Sequence, residues 1–290
     1  MIQYLIGIDG GGTGCRVRLT DISGQILAQC HGEPANILLG SSLVQQRLIA
    51  TIGQAFKEAG LQESCFASTL VSAALAGAEV ETARLEFESL PWPFAKLLVT
   101  TDAHGALVGA FSGGDGAIQI VGTGSCGLIK KGDSLTQIGG HEFPISDHCG
   151  GARLGLRAID LSLLAHDQII PESPFTHAVM ARFNSSTDQL VQWSKTATPK
   201  SYGELAPLVL AYFETHDPVA IEIVTDALSQ FQLLLKALIN RGANRIALTG
   251  SIALILQSHL PEEFNQWIVK AEGDAMAGAL LLARQAADAL

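Results

Sequence analysis

Basic residues are scarce in this sequence and never cluster. It carries 18 Lys and Arg against 28 Asp and Glu, for a formal net charge of −10. Nucleic acid and anionic membrane surfaces are therefore not expected partners, because both are bound through concentrated positive charge. A nucleotide would have to be held by backbone amides, helix N-termini and a divalent cation instead.

Paired cysteine motifs and long apolar runs are also missing. The five cysteines are scattered with no Cys-x-x-Cys pair, which predicts reduced thiols rather than a disulfide framework. No apolar run looks long and uninterrupted enough to span a bilayer, and no signal peptide is expected ahead of the first strand. These absences predict a cytoplasmic protein with no membrane partner.

The first fourteen residues organise the rest of the sequence. An apolar strand ends at Asp9 and enters the turn Gly10-Gly11-Gly12-Thr13, and residues 15–22 alternate as a returning strand would. Glycine at positive φ exposes its amides, so this hairpin tip could surround a phosphate with N–H donors. Asp9 could hold hydrated Mg²⁺, and the Thr13 hydroxyl could donate to a phosphate oxygen. The alternative is an ordinary glycine-rich hairpin with a capping Asp.

Two later turns repeat this chemistry at strand ends. One is a second hairpin tip, Gly122-Thr123-Gly124-Ser125, and the other is Thr249-Gly250-Ser251-Ile252, which opens a helix. Each turn alone could be plain loop chemistry. Together they predict a nucleotide site in which two tips grip the phosphates across a cleft and the third turn receives the adenosine.

The order of elements predicts an α/β protein of two domains, because 290 residues exceed the usual size of one domain. Residues 1–113 show the order β-β-β-α-β-α-β, typical of a mixed sheet with helices on its faces. Residues 114–290 begin in the same way and then carry a helical insertion at about 150–240. The final helix is expected to pack back on the first domain.

The three turns resemble the phosphate-1, phosphate-2 and adenosine motifs of the sugar kinase, heat-shock ATPase and actin superfamily. The full chain is similar to the N-acetylglucosamine kinase and activator-ATPase (BadF-type) branch, and within it to the bacterial glucosamine kinases. The segments that carry this likeness are Asp9–Arg16, Ala35–Ile37, Ala74–Glu79, Thr101–Ala103, Gly122–Gly127, Gly139–Asp147 and Trp193–Thr196. The resemblance implies two ribonuclease-H-like domains with an interdomain cleft, and dependence on ATP and Mg²⁺.

The same resemblance implies roles for individual residues. Asp102 would accept the proton of the sugar hydroxyl, and Gly203 matches a nucleotide-contacting glycine of the helical insertion only loosely. The residues implied to bind the sugar, besides Asp102, are Asn36, Gly139, Gly140 and Asp147. From the residues alone, Asp102 and Asp147 could instead be helix N-caps and Asn36 a turn residue.

The implied activity is phosphorylation of the 6-hydroxyl of D-glucosamine by ATP, with N-acetylglucosamine kinase as the alternative. A different class is the activator ATPase of acyl-CoA dehydratases and reductases, whose iron–sulfur cluster takes two cysteines from each subunit. Cys149 is a candidate for one of these two ligands, but no cysteine follows it to supply the second. His141 and His148 are interpreted as loop residues rather than metal ligands. The helical insertion makes a homodimer reasonable.

Overall fold

The structure is a computed structural model that describes residues 1–12 and 14–289. By spatial proximity of Cα atoms the chain divides into two compact units. Unit 1 comprises Met1–Gly116, Lys130–Ser134 and the chain from Lys270 onward, and unit 2 comprises Ala117–Ile129 and Leu135–Val269. The division into domains at residues 113 and 114 stays a prediction, since these units are interleaved along the chain.

The described residues form ten β-strands and eleven α-helices. The strands are β1 (Tyr4–Gly10), β2 (Cys15–Asp21), β3 (Ile26–Gly32), β4 (Thr69–Leu75), β5 (Lys96–Thr101), β6 (Gly116–Val121), β7 (Ser125–Lys131), β8 (Ser134–Gly139), β9 (Ile246–Thr249) and β10 (Ile268–Val269). The helices are α1 (Ser41–Glu58), α2 (Glu81–Ser89), α3 (Asp102–Ala110), α4 (Gly151–His166), α5 (Pro174–Ala181), α6 (Thr187–Ser194), α7 (Pro199–Gly203), α8 (Ala206–Glu214), α9 (Pro218–Asn240), α10 (Ser251–Gln257) and α11 (Ala275–Asp288). Short 3₁₀ helices lie at Ile37–Leu39, Glu63–Ser68 and Glu262–Phe264.

Each unit is built on a five-stranded sheet with the same order of strands. The first sheet runs β3-β2-β1-β4-β5 and the second β8-β7-β6-β9-β10. In the first, β1 is antiparallel to β2 and parallel to β4, which is parallel to β5. In the second, β9 is parallel to both β6 and β10. The prediction of mixed sheets that open alike is confirmed, because the alternating strands and glycine turns specify the hairpins locally.

In unit 1 two helices pack closely through glycines. The gap between α3 and α11 has no room for side chains: a Cβ at Gly109 would lie 2.0 Å from the Asp274 carbonyl oxygen, and one at Gly278 would lie 2.0 Å from that of Gly105. The α11 helix also covers β1, where a Cβ at Gly7 would meet the Met276 carbonyl oxygen at 2.5 Å. Small residues thus allow the last helix to lie against the first strand of its own unit.

Unit 2 carries the helical insertion, formed by α4 to α9. Proline is the first residue of α5, α7 and α9, where its missing N–H costs no helical hydrogen bond. The α9 helix is long and apolar enough to cross a membrane by length and composition. Its side chains Phe231, Leu235 and Leu238 are fully buried in the core of unit 2, as expected for a core helix.

Candidate active site

The first glycine tip connects β1 to β2 and is anchored by backbone hydrogen bonds. The Gly11 N–H donates to the Gly14 carbonyl (2.9 Å), and the Ala35 N–H donates to that of Gly11 (3.0 Å). The Ala76 N–H donates to the Gly10 carbonyl (2.8 Å). The turn after β4 is therefore fixed against this tip. Thr13, which is predicted to contact phosphate, lies outside the described residues.

The reason for glycine at this tip differs from the prediction. Gly10, Gly11 and Gly12 do not adopt positive φ, so the positive φ expected of these glycines is wrong. A Cβ at Gly10 would lie 2.6 Å from a methyl carbon of Leu75, whereas one at Gly12 would meet nothing within 4 Å. The inner glycine is required by packing, and the outer one leaves open space in which a phosphate can approach the backbone.

Asp9 is paired with Arg16, a residue to which the sequence analysis assigned no role. The two face each other in the antiparallel register of β1 and β2, and Asp9 Oδ2 accepts hydrogen bonds from Nε of Arg16 (3.1 Å) and from its Nη2. Both contacts use one carboxylate oxygen, so Oδ1 of Asp9 has no donor among the described residues. A hydrated Mg²⁺ held by one carboxylate and by substrate phosphates fits this arrangement. Within the described residues no three His, Cys, Asp or Glu side chains cluster as a metal cage.

Asp102 is the first residue of α3, and the alternative in which it caps the helix is wrong. Thr101 takes that place, because its Oγ1 accepts the His104 N–H at 3.1 Å. Asp102 Oδ1 accepts the N–H of Ala103 at 2.7 Å. Burial, reinforced by the negative charges of Glu79 and Asp9, raises the pKa of Asp102 to about 6. Such a value suits a general base near neutral pH.

Asn36 lies next to the turn that follows β4. It caps the 3₁₀ helix Ile37–Leu39, with its Oδ1 accepting the Leu38 N–H at 2.9 Å. The Ile37 N–H donates to the Ala76 carbonyl at 3.0 Å. Gly77 has φ +85°, and a Cβ there would lie 2.6 Å from Asn36 Oδ1. The local turn role of Asn36 thus occupies its oxygen, while its Nδ2 has no acceptor among the described residues.

The second glycine tip connects β6 to β7 and is braced by the N-terminus of α4. The Gly151 N–H donates to the Gly122 carbonyl (2.8 Å) and the Ala152 N–H to that of Thr123 (2.9 Å). A Cβ at Gly122 would meet nothing within 4 Å. Gly122 is thus open in the same way as Gly12 in the first tip, and it too does not adopt positive φ.

Two distant glycines of unit 2 also reach this tip. Gly250 has φ +92°, and a Cβ there would lie 2.2 Å from the Val121 carbonyl oxygen. A Cβ at Gly203 would lie 3.3 Å from Cγ2 of Thr123, so the loosely matched Gly203 is adjacent to the tip. Ser251 follows as the first residue of α10 and is exposed. The buried Oγ1 of Thr249, just before this turn, has no hydrogen-bond partner among the described residues.

Asp147 packs against the second tip rather than capping α4. The N-cap of α4 is Gly150, without a side-chain bond, whereas a Cβ at Gly124 would lie 2.5 Å from Asp147 Oδ2. Burial raises the pKa of Asp147, although the Ser125 N–H and nearby His148 and Arg153 oppose that rise. Ser125 itself donates to the His148 carbonyl at 2.5 Å.

The predicted sugar residues are Gly139, the last residue of β8, and Gly140, which follows it; both are left-handed, with φ +68° and +69°. A Cβ at Gly140 would lie 3.0 Å from Sγ of Cys126, one residue after the second tip. The structure therefore groups the predicted residues of unit 2 around that tip, and groups Asp9, Asn36 and Asp102 at the corresponding sheet edge of unit 1. The contributions of Arg16 and Gly77 are additions to the predicted set.

Known proteins match nearly the whole chain. A sequence profile of the BadF/BadG/BcrA/BcrD ATPase family matches residues 6–283. The chain belongs to this family. A BadF/BadG/BcrA/BcrD-family relative, "Glucosamine kinase GspK" of Vibrio cholerae, is 43% identical over 97% of this chain and 96% of that protein. The predicted family resemblance is confirmed.

Solved structures support the fold of this BadF/BadG/BcrA/BcrD-family chain. A crystal structure named "Putative N-acetylglucosamine Kinase" from Chromobacterium violaceum matches with a TM-score of 0.91 and 35% identity, covering 97% of this chain and 99% of that one. A ROK family glucokinase from Streptomyces griseus matches with a TM-score of 0.56 at 18% identity, covering 97% and 99%. The second likeness concerns the fold alone, and it agrees with the predicted sugar-kinase architecture.

Proposed function

We propose that this protein is an ATP-dependent amino-sugar kinase that transfers the γ-phosphoryl group of ATP to the 6-hydroxyl of D-glucosamine. The observation that carries the proposal is the 43% identity to a glucosamine kinase along nearly the full length of both chains. It is supported by a partly buried carboxyl group, Asp102, whose raised pKa suits proton transfer from an alcohol.

In the proposed reaction Asp102 orients the sugar hydroxyl and accepts its proton as the oxygen attacks the γ-phosphorus and the bond to the bridging oxygen of ADP breaks. Backbone amides of the two glycine tips stabilise the charge on the phosphates. In this assignment the residues of the tips and turns that contact ATP are Gly10, Gly11, Gly12, Thr13, Gly122, Thr123, Gly124, Ser125, Gly203, Gly250 and Ser251. Asn36, Gly139, Gly140 and Asp147 contact the sugar.

In this proposal Mg²⁺ binds Asp9, whose Oδ1 accepts no hydrogen bond from the described residues. Bound there, the cation would neutralise phosphate charge. Arg16 would then share the Asp9 carboxylate with the cation.

Assembly as a homodimer and a cytoplasmic location remain predictions. Light scattering of the purified protein tests for the homodimer, and a monomer at all concentrations would contradict it.

The test is an ADP-release assay with D-glucosamine, N-acetylglucosamine and glucose, run on wild type, Asp102→Asn and Asp133→Asn. Asp133 lies in an exposed turn and controls for loss of one carboxylate. We expect glucosamine to be the best substrate and Asp102→Asn to lower kcat about 10²–10⁴-fold with little change in KM. No turnover with any amino sugar would refute the function, and unchanged turnover in Asp102→Asn would refute the role of Asp102.

N-acetylglucosamine kinase remains the second candidate, because the Chromobacterium violaceum structure carries that name at 35% identity. The same assay decides between the two sugars by the ratio of their kcat/KM values.

The activator-ATPase alternative requires cysteine ligands for an iron–sulfur cluster. Cys149 is buried, with a pKa raised to about 12 by that burial, and a thiol of this kind is a poor metal ligand.

A further inference from the structure

We propose that Glu79 selects amino sugars by receiving the protonated 2-amino group of the substrate on its carboxylate. This inference rests on the proposed function and concerns the substituent that distinguishes glucosamine from glucose and from N-acetylglucosamine. It assigns a specificity role to a residue of the turn between β4 and α2.

The position of Glu79 follows from the pairing of two strands. In the parallel register of β4 and β5, Leu75 lies opposite Thr101, so both strands end at the same edge of the sheet. Asp102 follows β5 directly, and the turn Ala76–Glu79 follows β4. The proposed base and the turn that carries Glu79 therefore leave the sheet side by side.

The same turn contacts the proposed sugar-binding residue Asn36. The hydrogen bond from Ile37 to Ala76 and the close approach of Gly77 to Asn36 Oδ1 fix the turn against the 3₁₀ helix. Val80 N–H donates to the Gly77 carbonyl at 3.1 Å, which folds the turn back at Glu79. Glu79 thus lies in a turn that contacts Asn36 and that leaves the sheet beside the strand preceding Asp102.

The carboxylate of Glu79 is paired with no positively charged side chain among the described residues. It is exposed and makes no hydrogen bond or ion pair with another residue that the structure describes. Its charge nevertheless acts on Asp102, since it contributes to the raised pKa of that group. Glu81, in the first turn of α2, is also exposed but is not among the charges that chiefly shift the pKa of Asp102. An uncompensated negative charge at this edge favours a cationic ligand group.

The chemistry of the three sugars separates them at such a position. The ammonium group of glucosamine can donate charge-assisted hydrogen bonds to a carboxylate. The hydroxyl of glucose carries no charge, and the acetamide of N-acetylglucosamine is neutral and larger. A carboxylate near the 2-position therefore gives a differential affinity for the amine rather than a uniform gain for all hexoses.

The experiment measures kcat and KM for the three sugars with wild type, Glu79→Gln, Glu79→Asp and Glu81→Gln. Glu79→Gln keeps the shape and removes the charge, and we expect the KM for glucosamine to rise about tenfold with kcat within about twofold. The KM values for glucose and N-acetylglucosamine should change by less than about twofold. Glu79→Asp should restore part of the affinity, and Glu81→Gln should behave as wild type. Calorimetric titration with glucosamine in the absence of nucleotide should show the same loss.

Each outcome bears on the inference. An unchanged KM for glucosamine in Glu79→Gln would overturn it, and so would equal losses for all three sugars, which would mean that Glu79 acts on the site as a whole. Thermal melts of the variants identify misfolding. If Glu79→Gln does not fold, the KM values of Glu79→Asp for the three sugars test the inference instead. Wild type that phosphorylates no amino sugar refutes the proposed function itself, whereas active wild type with no discrimination by Glu79 refutes this inference alone.

Discussion

The two glycine tips use the same residue for different reasons, and the surroundings of each explain why. The tip of unit 1 ends in open space at Gly12 and has a paired carboxylate, Asp9, just before it. The tip of unit 2 is also open at Gly122, but elsewhere it is packed by the N-terminus of α4, by Gly250 and by Asp147. The first tip follows a carboxylate with one oxygen that has no donor among the described residues, whereas the second is packed on several sides by other residues of unit 2.

The comparison separates glycines that packing requires from glycines that a ligand requires. At Gly250 a side chain would collide with backbone of the same unit, so the sequence constraint follows from folding. At Gly12 and Gly122 a Cβ would meet none of the described residues within 4 Å, apart from the chain neighbours. If those two positions need glycine, the need comes from what binds there.

The largest expected effect is at Gly250. Alanine there would combine left-handed strain with a contact of 2.2 Å to the Val121 carbonyl oxygen, and we expect Gly250→Ala to lower the free energy of unfolding by about 3 kcal/mol or more. Gly60 has φ +71° with nothing within 4 Å, so Gly60→Ala isolates the backbone strain at about 1 kcal/mol. Urea denaturation measures both, and equal losses would show that the close contact is relieved by small shifts.

The next largest effect on stability is expected at Asp102, in the pH dependence of the free energy of unfolding. Its pKa rises from 3.8 to about 6 on folding, so between those values the folded chain holds a proton that the unfolded chain has lost. The free energy of unfolding therefore falls as pH rises through this window and stays lower above it. Asp102→Asn should remove that fall and be about 1–2 kcal/mol more stable at pH 7, after allowance for solvent screening. Thermal melts from pH 4 to 8, with Asp133→Asn as control, check the slope; a lower stability of Asp102→Asn at pH 7 would contradict it.

The open glycines of the two tips should behave alike. Alanine at Gly12 or at Gly122 places a methyl group over the exposed amides, so the KM for ATP should rise about tenfold, a loss of about 1.4 kcal/mol. Melting temperatures should stay within about 2 °C of wild type because no contact is disturbed. Nucleotide titrations of both variants measure this. A change at one tip alone would mean that the other does not contact phosphate.

The smallest effect is expected at the ion pair beside the first tip. The Arg16 side chain is 43% exposed, so Arg16→Gln should cost less than about 1 kcal/mol of stability. Arg18 is a matched comparison, since it makes two hydrogen bonds to Asp274 (3.2 and 2.8 Å) and is only 16% exposed. Arg18→Gln should therefore cost more than Arg16→Gln in chemical denaturation. The reverse order would mean that burial does not decide the strength of these two ion pairs.

The sequence predicts the sheet order and the three turns because alternation and glycine position are local signals. It does not predict why the glycines are there, since the neighbours of Gly10 and Gly250 come from Leu75 and Val121, which are distant in sequence. The sequence alone could have predicted Thr101 as the N-cap of α3, because Thr is a good N-cap residue and directly precedes Asp102. The pairing of Arg16 with Asp9 could also have been predicted, because a hairpin with its tip at residues 11–14 places the two residues opposite each other. The closeness of Glu79 to Asp102 depends on the register of β4 and β5, which no local pattern states.

The glycine contacts between α3 and α11 have a consequence for synthesis of the chain. The α11 helix follows all of unit 2 in the sequence, so the face of β1 that it covers stays exposed on a nascent chain until unit 2 has been translated. We expect nascent chains that stop at Val269 to be cleaved within unit 1 by protease, and chains that extend through α11 to resist. Equal resistance would mean that the first hundred residues can mature on the ribosome without their final helix.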